Sequence, residues 1–203
     1  MLPSGEMMYG LPPSTEVNRP LPKKVIIEKF GLFGKEKSIF DSNIHRITIV
    51  NEISPNTVNL QSKEIRGIFI IRVEINSENY DREIIKSLFK LIPQKIVMVL
   101  ECGPRCRPVI NQNVLIEGHW RLSDEMMFTL KGLNLDSVWE NLIIHIGSII
   151  IDNENGLTSQ IAINYERKKR DEEIAMLQKR MASEKQPRKK KELFDKIKQL
   201  MIK

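Results

Sequence analysis

Two apolar runs separated by one amphipathic stretch constrain this chain more than any other feature. The first, "EIRGIFIIRVEI" (64–75), is long, β-branched and aromatic, and the second, "KIVMVLE" (95–101), is nearly continuous in apolar residues. Runs of that kind read as strands covered on one or both faces, because a water-exposed edge strand would not tolerate them. Between them, residues 81–92 place Ile84, Ile85, Leu88 and Leu91 on one stripe, an amphipathic helix stopped by Pro93. Strand, helix, strand over so short a span is a crossover unit. It is expected to be right-handed and to set 95–101 parallel to 64–75 at the centre of a sheet.

The fold class that follows is α+β: a mixed β-sheet with that crossover, followed by a C-terminal helical hairpin or coiled-coil arm. Residues 1–22, rich in Pro, Gly and Ser, read as an extended lead-in, since Pro12, Pro13, Pro20 and Pro22 disfavour regular structure. The α+β domain is expected over 23–151. A short helix starts at Lys23 and stops at Gly31, with Val25, Ile26 and Phe30 inward, and another covers Lys35 to Asp41. "HRITIVNEI" (45–53) alternates Ile47, Ile49 and, less cleanly, Asn51 against Thr48 and Val50, which is strand-like. "SPNTVNL" is turn chemistry, and 107–122 and 127–131 read as further short strands. "NLDSVWENLIIHIGSIII" (134–151) reads as a helix capped by Asn134 or Asp136 and ended by "DNENG", with Val138, Trp139, Leu142, Ile143 and Ile146 inside.

From Thr158 onward the pattern is helical, broken at Gln186-Pro187. Ile174, Leu177 and Met181 make one stripe and Leu193, Ile197 and Leu200 another. Pro187 can open a helix, where its missing N–H would be unpaired anyway. An antiparallel pair over 158–203 is therefore expected, with those six residues as its seam, closed on itself or shared with a partner. Charge gathers in the same place. Glu166 to Lys203 holds 14 Lys/Arg against 7 Asp/Glu, a surplus of +7, whereas residues 1–165 hold 18 against 19. The basic blocks Arg167, Lys168, Lys169, Arg170 and Arg188, Lys189, Lys190, Lys191 are candidate phosphate contacts or simply the solvated outer face of the pair. Only Tyr165 and Phe194 could stack on bases there, which gives single-strand base recognition little support.

Candidate chemistry is sparse. Cys102 and Cys106 in "ECGPRCRP" have CxxxC spacing across a Gly103-Pro104 turn, but a zinc site needs two further ligands. The three histidines, His45, His119 and His145, are scattered. His145 reads as an ordinary helix residue and His119 as a neighbour of Trp120 in a strand-like stretch. A metal-dependent nuclease would need converging carboxylates and a lysine on a strand. Glu74 is on the right kind of strand, but Asn76 stands where the lysine would help, and Glu64 is followed by Arg66. The sequence shows no Gly-rich phosphate loop, HExxH or GxSxG. No cofactor, metal or catalytic residue is therefore expected. The longest unbroken apolar run, Ile96 to Leu100, is far too short to cross a bilayer, and the N-terminus lacks the pattern of a signal peptide. With two cysteines and no disulfide framework, a cytoplasmic protein with no membrane partner is expected.

Five stretches together resemble a known family: "LPPSTEVNRPLPKK", "ISPNTVNL", "IPQKIVMVLE", "LKGLNLDSVWENLIIHI" and "EKQPRKKKELFDKIKQL". It is the uncharacterised bacterial and archaeal family of small proteins encoded beside DEAD/SNF2-type helicases and DNA methyltransferases of type III restriction or phage-defence systems. The resemblance implies a context and no catalytic residues. It implies a non-catalytic accessory or assembly subunit whose C-terminal helices dock on the helicase or methyltransferase, or on a second copy, and reach DNA phosphates. A nuclease of the same system and a stand-alone nucleic-acid-binding protein are the alternatives.

Overall fold

The structure, a computed structural model, describes residues 8–150 and 156–202. The chain divides into two compact units, one up to residue 149 and one from residue 150 onward. In the first, β1 (Glu16–Pro20) leads to α1 (Lys23–Phe30), α2 (Gly34–Asn43) and β2 (Ile44–Ile53). The short α3 (Pro55–Val58) precedes β3 (Ile68–Ile75), α4 (Arg82–Leu88) and β4 (Lys95–Cys102). The strands β5 (Arg105–Gln112), β6 (Val114–Glu117) and β7 (Arg121–Leu122) follow, and α5 (Leu135–Gly147) completes the unit. The second unit contains α6 (Leu157–Ser183) and α7 (Pro187–Ile202).

The fold is α+β, and its sheet has the order β1-β2-β3-β4-β5-β6, with β7 also pairing with β5. β3 and β4 are the parallel pair, joined through α4 and central in the sheet, while the other pairings are antiparallel. Their position follows from composition, because Ile68, Ile70, Ile71 and Val73 on β3 and Val97, Met98, Val99 and Leu100 on β4 have no exposed surface.

Alternation along the strands defines two faces. One carries Ile47, Ile49, Ile71, Val73, Met98 and Leu100, and packs with Ile26 of α1, Phe40 of α2 and Ile85 and Leu88 of α4 into one core cluster. Complete burial of each such side chain contributes about 1.5–3 kcal/mol. On the opposite face lie Ile70, Val97, Val99 and Ile110, and α5, which packs against β5 and β6, buries Val138, Leu142, Ile143 and Ile146. Helices on both faces are what allow a parallel pair to be apolar on both sides.

Several boundaries differ from the sequence expectation, each for a local reason. The Pro-rich segment supplies an edge strand: β1 pairs with β2, and Leu11 and Thr15 before it are fully buried. In α1, Ile26 is buried and Phe30 half-buried, but Val25 is 56% exposed. The helix closes at Gly31, whose φ of 60° suits a residue without Cβ. β2 is bulged: Ile49 pairs with Ile71 but Asn51 with Ile70, which moves Asn51 off the face of Ile49. Asn51 is fully buried there, with Nδ2 donating to Thr15 Oγ1 at 2.9 Å.

The strand expected from Glu64 starts only at Ile68 because the Asp136 carboxylate accepts the N–H groups of Lys63, Glu64 and Ile65 at 3.0, 3.2 and 3.3 Å. Asp136 therefore does not cap α5. Asn134 does, its Oδ1 accepting from Ser137 N at 2.8 Å. α4 stops at Leu88, short of Pro93, and tight turns carry the chain on as Lys90 N–H reaches Ser87 O and Leu91 N–H reaches Leu88 O. Residues 127–131 form no strand, since Phe128 N–H bonds Tyr9 O, and Tyr9, at φ 55°, offers a single carbonyl there and not an extended ladder. α5 ends at Gly147, where Ser148 takes a left-handed conformation with φ 49°. It therefore stops before "DNENG", of which residues 152–155, like Ile151, lie outside the described residues.

Candidate functional site

Three places gather polar side chains, and the first lies at the C-terminal ends of the parallel strands. Glu74 on β3 and Glu101 on β4 are register partners and so point from the same face. Arg72, two residues before Glu74, shares that face. Its Nε is 3.8 Å from Glu101 Oε2 and 4.0 Å from Glu74 Oε1, and Arg46 Nη1 is 3.8 Å from Glu74 Oε1. Tyr9 Oη donates to Glu101 Oε1 at 2.8 Å, and its ring meets Phe128 edge-on at 6.0 Å. Burial, followed by the Glu101 charge and hydrogen bond, pushes the Tyr9 phenol well above its ordinary range. The two carboxylates converge, but each is matched to an arginine rather than to the lysine and open position that water activation needs. Asn76 hydrogen-bonds Ser42 O at 2.6 Å instead of facing them. Glu64 is exposed, precedes β3 and lies outside this group.

A second cluster centres on Glu117 at the end of β6. Its side chain is 3% exposed, and it accepts Tyr80 Oη at 2.5 Å and a bidentate pair from Arg82 at 2.9 and 3.2 Å. Arg107, which also donates to Gly118 O at 2.7 Å, stacks over Trp120 at 5.6 Å. Burial and then Glu117 push the Tyr80 phenol up. Every strong donor here already has an acceptor, so the cluster is a clamp across the sheet.

Cys102 and Cys106 flank a hairpin turn in which Gly103 takes φ 59° and Pro104 follows with its φ locked negative, the sign pattern of a type II′ turn. Register pairs Glu101 with Cys106 and Cys102 with Arg105, which puts the two thiols on opposite faces. They cannot share a metal ion. Cys106 is fully buried, and burial pushes its thiol up, away from the reactive thiolate. His45, His119 and His145 are all exposed, on β2, after β6 and on α5 respectively. Among the described residues no three His, Cys, Asp or Glu side chains come together as metal ligands.

The third place is the helix pair. α6 and α7 pack antiparallel across a three-residue connection in which the Glu184 carboxylate accepts the N–H groups of Gln186 and Lys185, both at 2.9 Å. Those bonds hold the Glu184 carboxyl below its usual range. The six seam residues face inward: Leu177 and Ile197 are buried, and Ile174, Met181, Leu193 and Leu200 half-buried. A groove runs along each side of the seam, about 640 Å³ beside Met176, Leu177 and Leu200, and about 340 Å³ beside Ile174, Ala175 and Met201.

The candidate phosphate contacts do not form one patch. Because Leu200 lines one groove with Leu177 and the other with Ile174, the antiparallel register places 188–191 near the connection. That is about 16 helical residues, roughly 24 Å, from 167–170. All eight are exposed except the half-buried Arg170, and Arg188 Nε lies 3.5 Å from Glu192 Oε1.

Reading along the chain did not single out Tyr9, Arg72, Glu101, Tyr80 or Glu117. The one available signal was period-two spacing: Arg72 and Glu74 interrupt an otherwise apolar strand on the same face. Among the described residues no helix is long and apolar enough to cross a membrane. Comparison with curated proteins and with solved structures finds no significant match. A family model described as "Domain of unknown function (DUF4391)" matches residues 9–202, and the chain, matched over nearly its whole length, belongs to that family.

Proposed function

We propose that the protein is a non-catalytic accessory subunit that docks on a partner protein through its C-terminal helix pair. The observation that carries this reading is on α7. With the seam closed by Leu193, Ile197 and Leu200, Phe194 and Met201 remain 54% and 65% exposed, seven residues apart on one face of an otherwise charged helix. Two large apolar side chains one above the other on the same face, beside the seam, make a short apolar strip of the kind a helix lays against a partner. The partner proposed, on the resemblance noted above, is a helicase or DNA methyltransferase of the same system. The test is affinity capture of tagged chain from its own host, comparing wild type with Phe194→Asp/Met201→Asp. The pair of changes should leave helicity intact and remove the co-purifying chain. Capture of the same chain by the double variant refutes docking through this face.

A second reading is favoured by the charge surplus of +7 over Glu166 to Lys203 and by the exposure of Lys189, Lys190 and Lys191. The arm then also contacts DNA phosphates. Changing these three lysines to Gln should weaken duplex binding and flatten its salt slope by about 0.9 per lost contact. Duplex binding undetectable at low salt, with normal partner assembly, would leave docking alone. The nuclease alternative gains nothing from Glu74 and Glu101, which arginines already neutralise.

A further inference from the structure

We infer that α6 pairs with α6 of a second copy of this chain, antiparallel and about a two-fold axis. The outer face of α6 carries Tyr165, Lys169, Glu172 and Met176, at the i, i+4, i+7, i+11 spacing of a single helix face. At 100° per residue this face lies roughly 140° round the axis from the seam residues Ile174, Leu177 and Met181. Two of its members are large side chains with much of their surface in water, Tyr165 at 39% and Met176 at 56% exposed. Met176 also borders the groove beside Leu177. Ile161, one turn before Tyr165 on this face, is buried, so the open part of the face begins at Tyr165.

Charge complementarity identifies the occupant. The block Arg167-Lys168-Lys169-Arg170 switches directly to Asp171-Glu172-Glu173. A two-fold axis through the 170/171 boundary sets Arg170, Lys169 and Lys168 against Asp171, Glu172 and Glu173 of the other copy, with Arg167 falling opposite Ile174. Lys169 meets Glu172 and Lys168 meets Glu173, each pair equidistant from the boundary. The same axis sets Tyr165 against Met176, so the apolar residues also match, one pair at each end of the ionic centre. Such a patch is self-complementary, as a two-fold interface must be.

Intrahelical pairing is the ordinary explanation for basic and acidic blocks four residues apart, and Lys168 and Glu172 do have contacts within the chain. The order is the less favourable one for that purpose, however. Within a helix, Glu placed before Lys is the stabilising arrangement, and here the lysines come first. The inference concerns a different face from Phe194 and Met201 and does not depend on the docking reading.

A contact of this length is small, so the dimer should be weak, with a dissociation constant on the order of 10–100 µM that rises with salt. The test is sedimentation equilibrium of the full chain at low and high salt, with two variants. Lys168→Glu/Lys169→Glu makes the face wholly acidic and Glu172→Lys/Glu173→Lys makes it wholly basic. Each alone should weaken self-association by about a hundredfold, because like charges then oppose each other. An equimolar mixture should regain a dimer containing one chain of each, with circular dichroism unchanged throughout. A wild-type chain that stays monomeric at about 100 µM in low salt, or variants that associate like wild type, would overturn the inference. So would a mixture that stays monomeric. If the acidic variant loses duplex binding while self-association is untouched, the basic block belongs to phosphate and the inference fails.

Discussion

Glu117 offers the sharpest test of what holds the sheet unit together. Its carboxylate is nearly inaccessible; Tyr80 and Arg82 donate to it and Arg107 pairs with it at 3.8 Å, and the three differ in what they would lose. Arg82, with half of its side chain exposed, can turn to water if Glu117 is removed. Arg107 is only 19% exposed, and keeps Gly118 O and Tyr80 Oη as acceptors but loses its counter-charge. Tyr80 loses the acceptor of its shortest hydrogen bond. Removing one member of a buried ion pair costs about 3–5 kcal/mol, and the partial escape of Arg82 puts Glu117→Ala near 3 kcal/mol. Glu117→Gln keeps the shape and one acceptor but turns an amide N–H toward a guanidinium, for roughly 2 kcal/mol. Arg82→Ala, at a half-exposed position, should cost no more than about 1 kcal/mol. Both tryptophans of the chain, Trp120 and Trp139, lie in this unit, so fluorescence-monitored urea unfolding reports on it alone. Glu117→Ala should lower the midpoint without changing the slope. If Glu117→Ala proves no more destabilising than Arg82→Ala, the cluster is a surface ion pair and the reasoning about burial is wrong.

Three further outcomes are expected. Tyr9 and Tyr80 have folded-state pKa values raised above the unfolded value, so their contribution is fully present below about pH 10 and lost as pH rises beyond it. Urea midpoints between pH 8 and 11 should fall at the alkaline end, and less steeply in Tyr9→Phe and Tyr80→Phe; an unchanged pH profile in both would contradict the assignment. Leu177→Asp or Ile197→Asp places a charge in the closed seam and should cost the helix pair about 2–4 kcal/mol, seen as faster amide exchange in α6 and α7. Salt should not reproduce this loss, and changing Lys189, Lys190 and Lys191 to Gln should move stability by no more than about 0.5 kcal/mol. Asn134→Ala removes the α5 cap, whose side chain holds Ser137 N, and should lower the urea-unfolding stability by about 1 kcal/mol; a loss below a few tenths would show that tertiary contacts alone fix that end.

The arm shows where local pattern suffices. Ile174, Leu177, Met181, Leu193, Ile197 and Leu200 fall inward because helical spacing fixes which residues share a face, and a three-residue connection forces the two stripes together. Phe194 and Met201 flank the buried seam residue Ile197 at helical spacing, and only the folded pair shows how much of each stays exposed. The polar clusters were harder still. Tyr9 and Glu101 are 92 residues apart, and Tyr80 and Glu117 are 37 apart, so no spacing rule connects them.

By itself the sequence determined the central parallel pair. Two long apolar runs can be satisfied only if both faces are covered, and the amphipathic stretch between them supplies the crossover. It determined the helix pair for the same reason, that apolar periodicity is a property of neighbours in the chain. Only the tertiary structure decided which strand register shifts at Ile49 and Asn51, moving Asn51 to the other face. Only it decided that Asp136 would hold the backbone of 63–65 and delay β3 until Ile68. Those outcomes depend on hydrogen-bonding groups meeting across the fold, and a donor's partner is set by where the packed elements bring it, not by the residues beside it in the chain.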